Sequence, residues 1–216
     1  MSRTLYYGDN LTVLREMPSE SVDLIYLDPP FNSNADYNVI FREQSGDGPG
    51  AQIRAFNDTW TWGIEAATTL QELISVHGEL AEYLEFTVKR LGHNSLSAYL
   101  VMMAPRLVEL HRVLEQTGFL LLHCDPTASH YLKVMLDVIF GPLMFQNEIV
   151  WKRTGSKSLV SRSLPKNHDV LLLYRKTDAA ALNPDALFAP YDFDALPEKV
   201  ASKYSHADPD GRRYTL

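Results

Sequence analysis

The chain has 216 residues, enough for one α/β domain with a real core, and 45% of them are hydrophobic, as in an ordinary soluble globular protein. No apolar run approaches the ~20 residues that span a bilayer, and residues 1–9 lack the layout of a signal peptide. Cys124 is the only cysteine, which excludes an internal disulfide and a cysteine-rich zinc site and makes a reducing cytoplasm the expected setting.

Net charge is −7, at first sight a poor balance for a nucleic-acid partner. The charge is unevenly spread. Residues 1–150 hold 9 Lys/Arg against 19 Asp/Glu, a balance of −10, and residues 151–216 hold 11 against 8, a balance of +3. Seven basic residues and a single acid, Asp169, fall within 151–176. That segment reads either as a positive surface for phosphates or as a solvated hairpin with basic decoration.

Residues 4–7 read as a short strand, followed by a helix carrying Leu11, Leu14 and Met17 until Pro18 stops it. Residues 22–27, VDLIYL, have the length and apolarity of a strand buried on both faces, bounded by Asp28-Pro29-Pro30. Residues 32–63 read as an irregular polar loop with a glycine-rich stretch at 45–50. Helices follow near 65–76 and 79–91, then a longer one over 95–116 with an expected kink at Pro105. Gly118 is read as the end of that helix, and residues 119–123 as a second buried strand. Asp125-Pro126 reads as a helix cap with proline at the first helical position, opening a helix that reaches Phe140. Residues 148–152 and 170–174 form an expected antiparallel pair joined by the basic loop 154–167. The alternation predicts an α/β fold, an open and mostly parallel sheet with an antiparallel hairpin, over residues 1–176. Residues 177–216 are polar and proline-broken, a linker or the start of another region.

Ligands of such sheets bind beyond the carboxyl ends of the strands, where Asp28-Pro29-Pro30-Phe31 lies. Pro29 biases Asp28 toward extended backbone, and two prolines without N–H leave local carbonyls free as acceptors. A carboxylate, a free carbonyl and the face of Phe31 suit a planar heterocycle with an exocyclic amine. Taken alone, the tetrapeptide is equally a strand-terminating turn.

This strand followed by DPPF resembles the catalytic motif of the amino-group DNA methyltransferases, in the adenine-modifying branch. The likeness continues in order over roughly residues 4–176. Gly8-Asp9 is similar to the family's acidic position that contacts the adenine of S-adenosylmethionine. Residues 95–124 resemble its helix, glycine turn and strand, and residues 147–153 with His168-Asp169-Val170 resemble its later hairpin. The resemblance implies a Rossmann-like methyltransferase fold, S-adenosyl-L-methionine as cofactor, double-stranded DNA as substrate and base flipping. It implies that Asp28 and the Pro29 carbonyl, within the Asp28-Pro29-Pro30-Phe31 loop, accept from the adenine 6-amino group and aim its lone pair at the sulfonium methyl. Asp9 and Asp28 would bind cofactor. Phe31 would stack on the flipped ring, with Trp151, Lys152 and Arg153 on the substrate side. Positioning and water exclusion would supply most of the acceleration, with no metal.

The family's glycine-rich cofactor turn, Phe-x-Gly-x-Gly, has no counterpart among the eleven glycines. One arrangement within the family places DPPF first, target recognition next and that turn last. The resemblance therefore implies a fragment, with central cofactor-binding strands missing and residues 177–216 opening the target-recognition region. The further partners that the resemblance implies are a cognate restriction endonuclease and a second copy. Rival readings are methylation of RNA or of a protein glutamine, and a noncatalytic DNA-binding subunit. His123, Cys124, Asp125 and His130 are weighed as a metal site and set aside, because Asp125 is better explained as a cap. Trp60 and Trp62 read as nucleic-acid stackers or loop anchors, and His77 and His111 as surface or packing residues.

Overall fold

The computed structural model describes residues 3–30, 36–38, 54–57, 60–76, 78–153, 167–183, 198–211 and 213–214. The chain divides into two compact units, residues 1–180 and 181–216.

In the first unit, α1 (Asn10–Glu16) starts where the Asp9 carboxylate accepts a hydrogen bond from the Leu11 N–H, and it ends at an extended Met17 before Pro18. Strand β1 (Val22–Leu27) follows. A two-stranded antiparallel ribbon, β2 (Asp36–Asn38) and β3 (Arg54–Asn57), occupies part of the stretch read as irregular loop. Helices α2 (Ile64–Val76) and α3 (Gly78–Leu91) precede α4 (Ser95–Val113). Helix α4 opens with a capping box in which Asn94 and Ser97 satisfy each other's backbone N–H groups. It continues unbroken through Pro105.

Leu100, Val101, Ala104 and Leu107 of α4 have no exposed surface, so this helix is the spine of the core. Strand β4 (Leu114–Cys124), helix α5 (Ser129–Phe140), a 3₁₀ turn at Pro142–Met144, and strands β5 (Phe145–Lys152) and β6 (His168–Arg175) complete the unit. Leu132, Met135 and Leu136 of α5 meet Leu120 and Leu122 of β4 and Leu172 and Tyr174 of β6 in the same core. Tyr174 is fully buried, with its hydroxyl donating to Asp137 Oδ1 at 2.7 Å, so the polar end is satisfied.

The four-stranded sheet has the order β1-β4-β6-β5. β1 runs parallel to β4, while β4–β6 and β5–β6 are antiparallel, the last being the expected hairpin. Even-numbered residues of β4 and β6 face the helices: Leu120, Leu122, Cys124, Val170, Leu172 and Tyr174 all belong to the main core. Phe119, Leu121 and Leu173 form a separate cluster with Ala180 on the opposite face.

Several sequence-based expectations are corrected. Residues 4–7 form no strand, and Leu5, Tyr6 and Tyr7 are 95%, 66% and 68% exposed, because no neighbouring strand offers them a ladder among the described residues. β1 is not buried on both faces: among the described residues it is an edge strand, in which Ile25 is buried while Leu24 and Tyr26 are exposed. Helix α4 stops at Val113, and Gly118 lies inside β4, not at a helix end. Leu114 pairs with Val22 and Phe119 with Leu24, so residues 115–118 bulge out of the ladder. A Cβ on Gly118 would fall 2.7 Å from Leu114 Cδ1 and 2.9 Å from the Asp23 carbonyl oxygen, which is why glycine stands there. Asp125 caps a turn, accepting from the Ala128 N–H at 3.2 Å, and α5 starts only at Ser129. Pro126 therefore sits in that turn, ahead of the helix.

The second unit contains α6 (Glu198–Ala201) and a ribbon of β7 (His206–Ala207) and β8 (Arg213–Tyr214).

Candidate active site

The site is assembled by strand register. Leu27 of β1 is level with Leu122 of β4, so the next residue on each chain puts Asp28 beside His123. His123 is level with Leu171 of β6, and Asp169 of β6 with Trp151 of β5. Alternation from the helix-facing residues places Tyr26, Asp28, His123, Asp169 and Trp151 on the face away from the helices. Four strands thus deliver polar side chains to one end of one face, at the carboxyl ends of parallel β1 and β4.

Asp28, Pro29 and Pro30 lie outside any helix or strand, with Pro29 buried and Asp28 exposed. The imidazole of His123 sits between two carboxylates: Nδ1 is 3.4 Å from Asp28 Oδ1, and Nε2 is 3.3 Å from Asp169 Oδ2. The Tyr26 hydroxyl is 3.2 Å from the same Nδ1. Asp169 is 2% exposed, and its other oxygen lies 3.4 Å from Arg153 Nη1. Burying a carboxylate costs several kcal/mol unless it is paired, roughly in line with charge transfer out of water. His123 and Arg153 supply that pairing. Asp28 differs, with 57% of its side chain exposed and one face open to a ligand.

Of the residues expected on the substrate side, Trp151 is 59% exposed, and Lys152 and Arg153 are exposed too. Arg153 reaches Asp28's neighbourhood through Asp169 and His123. Phe31 lies outside the described residues, as do residues 154–166 of the basic loop.

Asp9 belongs to a different place. Its carboxylate caps α1 and is gripped by Arg106 Nη2 at 2.8 and 2.9 Å, while Arg106 Nε donates to Asn10 Oδ1 at 3.0 Å. Beside this pair is a cleft of about 820 Å³ lined by Asp9, Arg15, Trp60, Glu65 and Arg106 among others. Asp28 is not among the described residues that line it.

His123, Cys124 and Asp125 do not converge. The Cys124 thiol points to the helix side, where burial pushes its pKa up to about 12, and His123 projects from the other face. Trp60 packs near Tyr99 in the core margin and Trp62 stacks on His93 at 4.3 Å.

His123, Asp169 and Tyr26 were not singled out for this site from sequence. One local signal was available: Tyr26 and Asp28 are two apart at a strand end and so share a face. The pairing with His123 depends on a register spanning 97 residues between Tyr26 and His123.

A family model described as DNA methylase matches residues 22–210. The chain is 31% identical over 188 residues to the type III restriction-modification enzyme StyLTI Mod subunit of Salmonella typhimurium, covering 85% of this chain and 25% of that protein. It is 30% identical over 176 residues to the EcoP15I Mod subunit of Escherichia coli, covering 80% and 24%. To the type II methyltransferase M.KpnI of Klebsiella pneumoniae it is 25% identical over 228 residues, covering 100% and 45%. The chain spans about a quarter of the length of the two Mod subunits and under half that of M.KpnI. With the family model running from β1 through the hairpin and into the second unit, the chain belongs to the DNA methylase family.

Proposed function

We propose that this chain forms the target-amine side of a DNA adenine methyltransferase, in which a methyl group passes from S-adenosylmethionine to the 6-amino group of an adenine turned out of the duplex. The observation that carries the reading is Asp28: an exposed carboxylate at a strand tip, steadied from behind at one oxygen and followed by two prolines. The second oxygen and the Pro29 carbonyl accept the two amine hydrogens, and the nitrogen lone pair is left aimed away from the ring. Phe31 stacks on the base, Trp151 walls the pocket, and Lys152 and Arg153 meet phosphates.

The cofactor, when bound, supplies a methyl group activated by a positive sulfur. Asp9 and Asp28 are the residues proposed to hold it. The cleft beside Asp9, which Asp28 does not line, supports the part given to Asp9, because about 820 Å³ lies within the ~300–1,000 Å³ typical of small-molecule sites. Its acids, its arginines and Trp60 suit a ligand carrying an ammonium, a carboxylate and a purine. The edge position of β1, with Leu24 and Tyr26 exposed, supports strands beyond it that complete the cofactor half of the sheet. Residues 177–216 are proposed to open the target-recognition region.

Double-stranded DNA is the proposed substrate, a cognate restriction subunit and a second copy the proposed partners, and the cytoplasm the setting. Two relatives bear the name of Mod subunits of type III restriction-modification enzymes, which supports the restriction partner. No helix among the described residues is long and apolar enough to cross a membrane. The test is Asp28→Ala in the product of the complete gene, followed by transfer of labelled methyl to DNA. Loss of transfer with DNA binding retained is expected. Transfer at the wild-type rate would overturn the assignment.

A further inference from the structure

We infer that His123 is a positioning residue for Asp28, held by the buried carboxylate of Asp169, which is anchored in turn by Arg153. The inference rests on the reading of Asp28 as the amine acceptor. The four groups form one row across the sheet, one from each strand or its end, with successive separations of 3.4, 3.3 and 3.4 Å.

A buried charge such as Asp169 is a costly way to fill space, and an apolar residue would pack there at no such penalty. Its two oxygens face His123 and Arg153, so its effect is to fix the ring that faces Asp28. The nitrogens of His123 define the rest. Nδ1 faces Asp28 and Nε2 faces Asp169, so a turn of the ring breaks both contacts at once. Among the described residues, Tyr26 and Asp28 from β1 and Asp169 from β6 face that ring, with Arg153 one carboxylate further on. With Nδ1 at 3.4 Å, Oδ1 of Asp28 is held from behind and Oδ2 remains for the amine. Tyr26, whose hydroxyl lies 3.2 Å from Nδ1, limits the swing of the ring from the β1 side.

The consequence is a selective effect on turnover. A misplacement of about 1 Å at a reacting group costs roughly 100-fold in rate, whereas substrate affinity is set by many other contacts. In the product of the complete gene, His123→Ala is expected to lower kcat about 10–100-fold with KM for DNA and cofactor little changed. His123→Asn places an amide N–H near the Nδ1 position and should recover part of that loss, whereas His123→Gln, which mimics Nε2, should not. Asp169→Asn should act in the same direction as His123→Ala.

Equal kcat in His123→Ala and wild type, with Asp28→Ala inactive, would overturn the inference and leave the acceptor reading standing. So would losses in Ala, Asn and Gln variants that simply track the folded fraction measured by circular dichroism. An active Asp28→Ala enzyme would instead overturn the acceptor reading, and with it the role given to His123.

Discussion

Arg106 on α4 grips Asp9 at the start of α1 with one guanidinium nitrogen on both carboxylate oxygens, at 2.8 and 2.9 Å. The same guanidinium donates to Asn10 Oδ1 and to the Met102 carbonyl, so one side chain fastens two helices. Arg106→Ala should destabilise the chain by about 1.5–3 kcal/mol, the range for hydrogen bonds to charged groups. Arg106→Lys should recover little, because an ammonium cannot reproduce the fork. Asp9→Ala should cost about 1–2 kcal/mol through the lost cap and a half-exposed ion pair, and Asp9→Asn less, because asparagine still caps. Urea unfolding midpoints measure all three.

Gly118 admits no side chain. Its Cβ would meet Leu114 Cδ1 at 2.7 Å and the Asp23 carbonyl oxygen at 2.9 Å, and the backbone oxygen cannot yield without opening the β1–β4 ladder. Gly118→Ala should cost about 1–3 kcal/mol, the usual penalty for overpacking. Equal stability of this variant and wild type in urea would show that the bulge is softer than its geometry indicates.

His111 gives the chain an acid-sensitive step. Burial, with the nearby Lys176 ammonium second, lowers its pKa from 6.5 to about 4. The unfolded chain therefore binds a proton at this site that the folded chain refuses between pH 6.5 and about 4. Stability from this group is complete above 6.5 and declines as the pH falls through that window. Allowing for partial solvent access, the loss is on the order of 2 kcal/mol. Unfolding followed at pH 7 and at pH 5 should show a falling midpoint in wild type and a flatter profile in His111→Gln.

Among the described residues, β1 has a strand neighbour on one side only, β4. An edge strand with Leu24 and Tyr26 exposed is a template for pairing with another chain. The purified 216-residue chain should self-associate as concentration rises, and Leu24→Lys should shift it toward monomer in light scattering. Association unchanged by that substitution would place the contact elsewhere.

The chain order of elements was legible because helices such as α1 repeat apolar residues at helical spacing and end at punctuation such as Pro18. What local pattern cannot report is the neighbour. Residues 4–7 and 22–27 look alike as apolar runs, yet only the second has a partner strand among the described residues. Gly118 reads as a helix stop from its flanks, whereas its reason for being glycine is Asp23, distant in sequence. The candidate site divides in the same way. Asp28-Pro29-Pro30 is a local signature and stood out at once. His123 and Asp169 gain meaning only from the register of β1, β4 and β6, which no single segment encodes.

We propose that Asp28 serves methyl transfer to adenine. The most direct test incubates the product of the complete gene with DNA and methyl-labelled S-adenosylmethionine, digests the DNA to nucleosides and identifies the labelled one by mass spectrometry. Label is expected in N6-methyldeoxyadenosine and absent when Asp28 is replaced by Ala. Label in N4-methyldeoxycytidine, or N6-methyldeoxyadenosine formed equally by Asp28→Ala, would contradict it.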